Sequence, residues 1–381
     1  MHLVRGGSFF QHNVRMTAEA LTLDVLHINY AALTEPITKD QVRLFRAETR
    51  AAQRADTSIA TGLTTATSVI SIVAIFVAIL FIGSIFVGMV AAITVTADGG
   101  PDLGGITVSV VIVLIFIGIT VAVLRSAFGI HGHWAKWMRL SQFAAANGLR
   151  FGSRSSSLSY PGCVFQSGDS RFVFDHFATT SGRFLDFGNY QYSTGSGKSR
   201  QVHRWGFLAL QLDRQLPNMV LDSKANNGLF GGTNLPQTFK RDQVLSLEGD
   251  FDKYFTLYCP QEYEQDALYV FTPDLMALLI DDAAPFDVEI VDNWMFIYSA
   301  QPFAELEVLT YERLFNIVRT VGTKTVTQTE EYHDDRVGSA AADIVAPQGQ
   351  RLRHGTSIGA LVFVAALAGF WIWNTFGQFL Q

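Results

Sequence analysis

The sequence predicts an α+β protein in two parts: three transmembrane helices, and a largely antiparallel-sheet domain facing the cytoplasm. Three observations predict it. Apolar residues gather in blocks at 69–95, 106–124 and 358–376, none of which contains Asp, Glu, Lys, Arg or His. Arginine and lysine flank these blocks on one side only. From 149 to 321 apolar residues first alternate as in strands and then recur at helical spacing, without regular βαβ order.

The N-terminal segment, 1–64, is expected to be cytoplasmic. Its first 29 residues contain charges and no continuous apolar core, so no cleavable signal peptide is expected. Met16 is an alternative start. Residues 37–54, ITKDQVRLFRAETRAAQR, read as a basic juxtamembrane helix with Val42, Phe45 and Thr49 on one side and Arg43, Arg46, Arg50 and Arg54 on the rest. Such a helix either rests on anionic headgroups or simply sets topology.

Residues 65–125 predict a transmembrane hairpin. A bilayer core of roughly 30 Å needs about 20 helical residues. The first block exceeds that length, and the second is close to it and ends at Arg125. Between them lies TADGGPDLGG, rich in turn formers. The third block, within 357–381, carries Trp371 and Trp373 near its far end, as an interfacial belt would. Arg43, Arg46, Arg50 and Arg54 precede the first block, Arg125, Lys136 and Arg139 follow the second, and Arg351 and Arg353 precede the third. The loop between the first two holds only Asp98 and Asp102. An odd number of spans puts every basic flank on one side, which makes this a multi-pass plasma-membrane protein with its domain inside. Small residues four apart (Ser84 and Gly88, Gly118 and Ala122, Ala365 and Gly369) suit close helix approach. The expected partners are therefore the lipid bilayer and a protein partner or second copy held through the transmembrane helices.

The domain is expected over 126–322. Residues 133–146 read as a helix with Trp134, Trp137, Leu140 and Phe143 on one face, stopped at Asn147-Gly148. Strands are expected at 171–177, 184–192, 202–212, 244–247, 254–258, 288–291 and 295–298, and helices at 273–281 and 304–321. Residues 323–356 are polar, small and acidic without sustained period. They read as a flexible linker to the third span, dispensable for folding.

Two runs resemble a known family. They are Phe251-Asp252-Lys253-Tyr254-Phe255, and Thr272-Pro273-Asp274-Leu275-Met276 with Leu279 following. They are similar to the F-D-x-x-F and T-P-x-x-M-x-x-L patterns of a family of uncharacterised bacterial membrane proteins, and Phe172–Phe177 (FVFDHF) resembles that family's F-D-Y segment. The resemblance covers roughly 144–299. It implies transmembrane helices joined to an α+β cytoplasmic domain, and no activity.

Composition narrows function. A formal net charge of −6 argues against nucleic acid as a partner. Two cysteines, Cys163 and Cys259, make no disulfide framework and are expected reduced and buried. The absence of ionisable residues in the apolar blocks argues against a proton or ion pathway.

Each candidate for chemistry has a plainer alternative. Gly195-Ser196-Gly197-Lys198-Ser199 mimics the end of a phosphate loop, but Tyr192 stands where that loop needs glycine and a strand follows, so a hairpin turn is expected. His131 and His133 lack further ligands to complete a metal set. Cys163 and His176 form a nucleophile and base only if the fold joins them. Asp281, Asp282 and Asp287 cluster at a helix end and read as solvated charges. Gly228–Gly232 (GLFGG) reads as a surface loop with Leu229 and Phe230 at its tip. No catalytic, cofactor-binding or metal residue is assigned, and no cofactor. The expectation is a membrane-anchored interaction or sensing module rather than an enzyme. The alternatives are an enzyme with an unidentified site acting on a membrane-proximal substrate, or an accessory subunit of a larger membrane complex.

Overall fold

A computed structural model describes residues 28–56, 133–156, 159–228, 232–338 and 343–355, with isolated positions between 110 and 118 and between 367 and 375. The three apolar blocks, at 69–95, 106–124 and 358–376, lie outside the described residues apart from those positions. Among the described residues no helix is long and apolar enough to cross a membrane. The chain divides into two compact units: Met1–Thr34 with Leu140–Gln381, and Glu35–Arg139.

A short helix, α1 (Ala31–Thr34), belongs to the larger unit. In the smaller unit, helix α2 (Lys39–Asp56) starts at a capping box. The Thr38 N–H donates to Gln41 Oε1 at 2.7 Å, and the Gln41 N–H donates to Thr38 Oγ1 at 3.3 Å. Its residues Phe45, Arg46 and Arg50 meet Trp134. Trp134 belongs to helix α3, residues 133–146.

The larger unit is α+β. Among the described residues its sheet has seven strands, all pairings antiparallel. The strands are β1 (Leu149–Ser155), β2 (Asp169–Thr179), β3 (Leu185–Thr194), β4 (Gln201–Ser223), β5 (Val244–Leu245), β6 (Phe255–Tyr258) and β7 (Asp287–Ser299). Strand β4 is the spine. One edge pairs with β3 and then β6, while the other pairs with β7 along most of its length.

Both faces of this sheet are covered. Leu208, Leu210, Met295 and Ile297 join a core with Phe143 of α3 and with Leu314 and Ile317 of a later helix, Val308–Ile317. Trp205, Phe207, Phe296 and Tyr298 point the other way, into a second core with Tyr160, Phe165 and Leu352. Burial on both faces is why Trp205–Leu210 reads as one apolar run rather than as an alternation. The N-terminal residues 28–34 complete the first core. Tyr30 stacks on Phe143 with centroids 6.0 Å apart, and Leu33 is buried. Asn147, just past α3, accepts the Asn29 N–H at 2.7 Å and donates back to the Asn29 carbonyl at 3.0 Å.

Besides a short helix that was not expected, Glu264–Val270, three elements differ from expectation. The strand expected at 202–212 continues to Ser223, passing Pro217 at a register shift. The two strands expected at 288–291 and 295–298 are one, with Asp292 at φ +53° forming an irregularity opposite Leu216. The flexible linker expected over 323–356 is corrected over most of its length. Residues Thr323–Thr329 are helical, Tyr332 and Asp334 are buried, and 343–355 lies along the second face of the sheet.

Candidate functional site

The larger unit has an open cleft of about 1210 Å³. Ile28 and Tyr30 form one wall, and helix Val308–Ile317 the other. Phe286, Phe303, Leu314 and Phe315 give an apolar floor. Glu307, Glu312, Arg313 and Arg319 stand among its charged lining, and Leu309, which also lines it, is 69% exposed.

Local bonds hold this shape. Phe303 is fixed by Asn189, whose Oδ1 accepts the Phe303 N–H at 2.7 Å. The Tyr311 hydroxyl donates to the Glu305 carbonyl at 2.7 Å and ties the loop before the helix. Asp282 accepts from Asn316 at 2.8 Å and from the Thr320 hydroxyl at 2.6 Å. Asp282 is thus a clamp between two elements. A preformed apolar floor with a charged rim suits binding.

The second face of the sheet holds two buried polar centres. In the first, Asp186 takes the Tyr160 hydroxyl at 2.7 Å and faces His176 Nδ1 at 2.9 Å. His176 sits beside a bulge at Asp175, φ +46°, and a Cβ at Gly188 would collide with that backbone, so the bulge requires glycine opposite it. In the second, Glu289 receives the Cys163 N–H at 2.7 Å and the Tyr298 hydroxyl at 2.8 Å, with Asn218 at 3.4 Å. Burial raises the Glu289 pKa against these donors, and burial with the Glu289 charge raises the Cys163 thiol. Gly162 is required here, since a Cβ would overlap the Tyr298 hydroxyl.

Asp222 and Asp287 lie further along the same strands. Burial pushes Asp222 up to about 6 and Asp287 up to about 7, the latter also through the Asp222 charge. Asp287 accepts the Ser223 N–H at 2.8 Å and the Asn226 amide at 3.0 Å, while Asp222 accepts the Thr233 hydroxyl at 2.9 Å. Among the described residues no three His, Cys, Asp or Glu side chains converge as a metal site.

The residues singled out in the sequence scatter. Cys163 and His176 each have their own carboxylate, so no nucleophile–base pair forms between them. Cys163 and Cys259 are both free thiols and both buried. Residues Gly197–Ser199 form a 3₁₀ turn in the β3–β4 hairpin, without a following helix. His131 and the tip of the Gly228–Gly232 loop lie outside the described residues, and His133 packs on Trp137 with centroids 4.0 Å apart. Asp281 and Asp282 line the cleft, whereas Asp287 is buried in the sheet, so the acidic cluster does not assemble. Glu289 and Asp222 were missed. The available signal was a carboxylate flanked by apolar residues at strand period, Val288-Glu289-Ile290.

No family model matches this chain, and no curated protein is similar to it. Among solved structures, the crystal structure of the mycobacterial trehalose monomycolate transport factor A, TtfA, is similar at 11% identity and a TM-score of 0.30. The alignment covers 48% of this chain and 93% of that chain. A likeness this loose does not establish a shared fold.

Proposed function

We propose that this chain is a membrane-anchored interaction module. Three transmembrane helices at about 69–95, 106–124 and 358–376 would hold the α+β unit at the cytoplasmic face of the plasma membrane. The observation that carries the binding role is the cleft, with its apolar floor, its mixed charged rim and the exposed Leu309 at its edge. Its one clamped carboxylate, Asp282, is occupied in holding two elements together. A protein segment with an apolar anchor and polar flanks is the ligand class that fits.

The test uses the full chain in its own cells, with a photocrosslinking amino acid in place of Leu309. The expected result is a discrete adduct of fixed mass that disappears when Phe303→Asp fills the floor with charge. Adducts absent at Leu309 and also at Arg313 would overturn the binding role. Alkaline extraction of the same membranes tests the anchoring separately, since an integral protein stays in the pellet.

A further inference from the structure

The loop after β4 brings side-chain oxygens to the start of β7. Asp222 and Asp287 stand one step beyond the Leu221–Val288 pair of these two strands, and both are buried. Like charges opposed across a ladder repel. Lys224 does not neutralise them. Its ammonium donates to the Asp252 carbonyl, and its charge is the least of the named influences on Asp222.

Three asparagines reach the same two carboxylates. The Asn226 amide donates to Asp287 at 3.0 Å. Asn227 approaches Asp222, and Asn234 approaches Asp287, each holding that carboxyl down against burial. The Gly228 N–H donates to the Gly232 carbonyl at 3.0 Å and closes the two arms of the loop on each other. On the second arm, the Thr233 hydroxyl donates to Asp222 at 2.9 Å. The Oδ1 atoms of Asn226, Asn227 and Asn234 are buried, and none has a hydrogen-bond partner among the described residues. With Asn234 Nδ2, this loop holds four of the seven side-chain atoms in that condition among the described residues. Such atoms gather where water or an ion completes the bonding.

We propose that Asp222, Asp287 and the amide oxygens of Asn226, Asn227 and Asn234 form a calcium-binding site. The excess at this place is of acceptors, so the matching ligand is a cation. Calcium takes about six to eight oxygens in flexible geometry, amide carbonyls among them, whereas magnesium demands a regular octahedron and keeps several waters. The set contains no His or Cys, which a transition metal would favour. The ion would cancel the repulsion between the two carboxylates and tie the end of β4 to the start of β7. The proposal is independent of the cleft and of the membrane anchor.

The experiment strips the full chain of metals with a chelator, removes the chelator, and records thermal melts at pH 8 in calcium, magnesium or sodium chloride at matched ionic strength. Calcium at about one hundred times its dissociation constant is expected to raise the melting temperature by about 5–10 °C, and magnesium by clearly less. Asp222→Asn and Asp287→Asn should each keep a cooperative melt and lose most of the calcium shift. Asp335→Asn, which removes a carboxylate 88% exposed, should retain it. Terbium luminescence excited through Tyr258, whose hydroxyl feels the Asp222 charge, reads the site directly and should be displaced by calcium. Asn227→Asp adds a charge to the set and should tighten calcium binding about tenfold. No calcium shift in the wild type would overturn the proposal and leave the asparagine oxygens to buried water. A shift that survives both Asp variants would put the ion elsewhere in the molecule, against the proposal. An equal shift in magnesium or in sodium would overturn the calcium assignment. If an Asp variant fails to fold, terbium displacement from Asn227→Asp decides, and unchanged or weaker calcium binding there overturns the site.

Discussion

Asp222 and Asp287 are carboxylates that folding removes from water without giving either one a cation as a hydrogen-bond partner. Burial is the leading cause of the rise in both, to about 6 and about 7. In the unfolded chain each returns to an ordinary value near 4. Between those limits the folded state holds more protons than the unfolded state, so stability falls as pH rises from about 4 to about 7. Below that window the two states are protonated alike and the penalty vanishes. Asp287→Asn removes the charge and keeps an oxygen for the Ser223 N–H, but it turns an amide nitrogen towards the Asn226 amide that Asp287 accepts. It is therefore expected to raise the melting temperature at pH 8 by a few degrees and to lower it slightly at pH 4, where Asp287 is already protonated. Thermal melts of both proteins across this range check it. An equal shift at both pH values would mean that packing, not ionisation, separates them. If Asp287 instead served as an acid or base in a reaction, its replacement would abolish that activity at every pH.

At the scale of elements, the segment 343–355 is the least expected part of the larger unit. The Leu352 N–H donates to Asn218 Oδ1 at 3.0 Å, and the Asn218 amide reaches Glu289. Gln243 brackets Arg353, accepting its N–H at 2.8 Å and donating to its carbonyl at 2.9 Å. Arg351 makes a two-pronged pair with Asp292 at 2.7 and 2.9 Å. These contacts differ in worth. Arg351 is more than half exposed, so Arg351→Ala is expected to lower stability by less than about 1 kcal/mol. Asn218→Ala leaves buried groups unsatisfied and should lower it by about 1–3 kcal/mol. Urea denaturation ranks the two, and the reverse order would show that the strap is held from its exposed side. The sequence concealed this strap because its residues are polar. Buried polarity is tolerated where hydrogen bonds close locally, as where the Thr325 and Thr329 hydroxyls donate to the Val321 and Thr325 carbonyls at 2.8 Å each. The second half of β4 was hidden by Asp213-Arg214-Gln215 and Pro217, which read as a break. Pro217 instead sits at a register shift, where the ladder does not need its missing N–H. Strands with clear period, such as 171–177 and 184–192, were legible, as was the stop at Asn147-Gly148, where Gly148 adopts φ +66°. The cleft was not legible, because it joins residues 28–30, 281–286 and 299–319, which no periodicity connects.

At the scale of the whole molecule, the larger unit is assembled from separated stretches of chain. It takes residues up to Thr34, releases the chain, and takes it back at Leu140. A fragment limited to 144–321 would therefore lack three parts of the fold besides residues 28–34. It loses Leu140 and Phe143, both fully buried in the first core. It loses Tyr332, whose hydroxyl bonds Asp266 at 2.7 Å, and Asp334, which receives Tyr263 at 2.7 Å and the Ala346 N–H at 2.9 Å. It also loses Leu352 from the second core. Removal of one buried Leu or Phe side chain costs about 2–5 kcal/mol, and a domain is stable by only about 5–15 kcal/mol. The fragment 144–321 is expected to aggregate or to lack a cooperative melt. The fragment 140–355 should fold with one transition. Its exposed Phe143 face should still make it less stable than the same fragment fused through a short linker to residues 28–34, because Leu33 and Tyr30 cover that face. Leu33→Ala in the fused form should return most of the difference. Circular dichroism melts of the four proteins give the order directly. A well-folded 144–321 fragment would mean that the sheet and its central helix suffice, and that the strap and the N-terminal residues only decorate them.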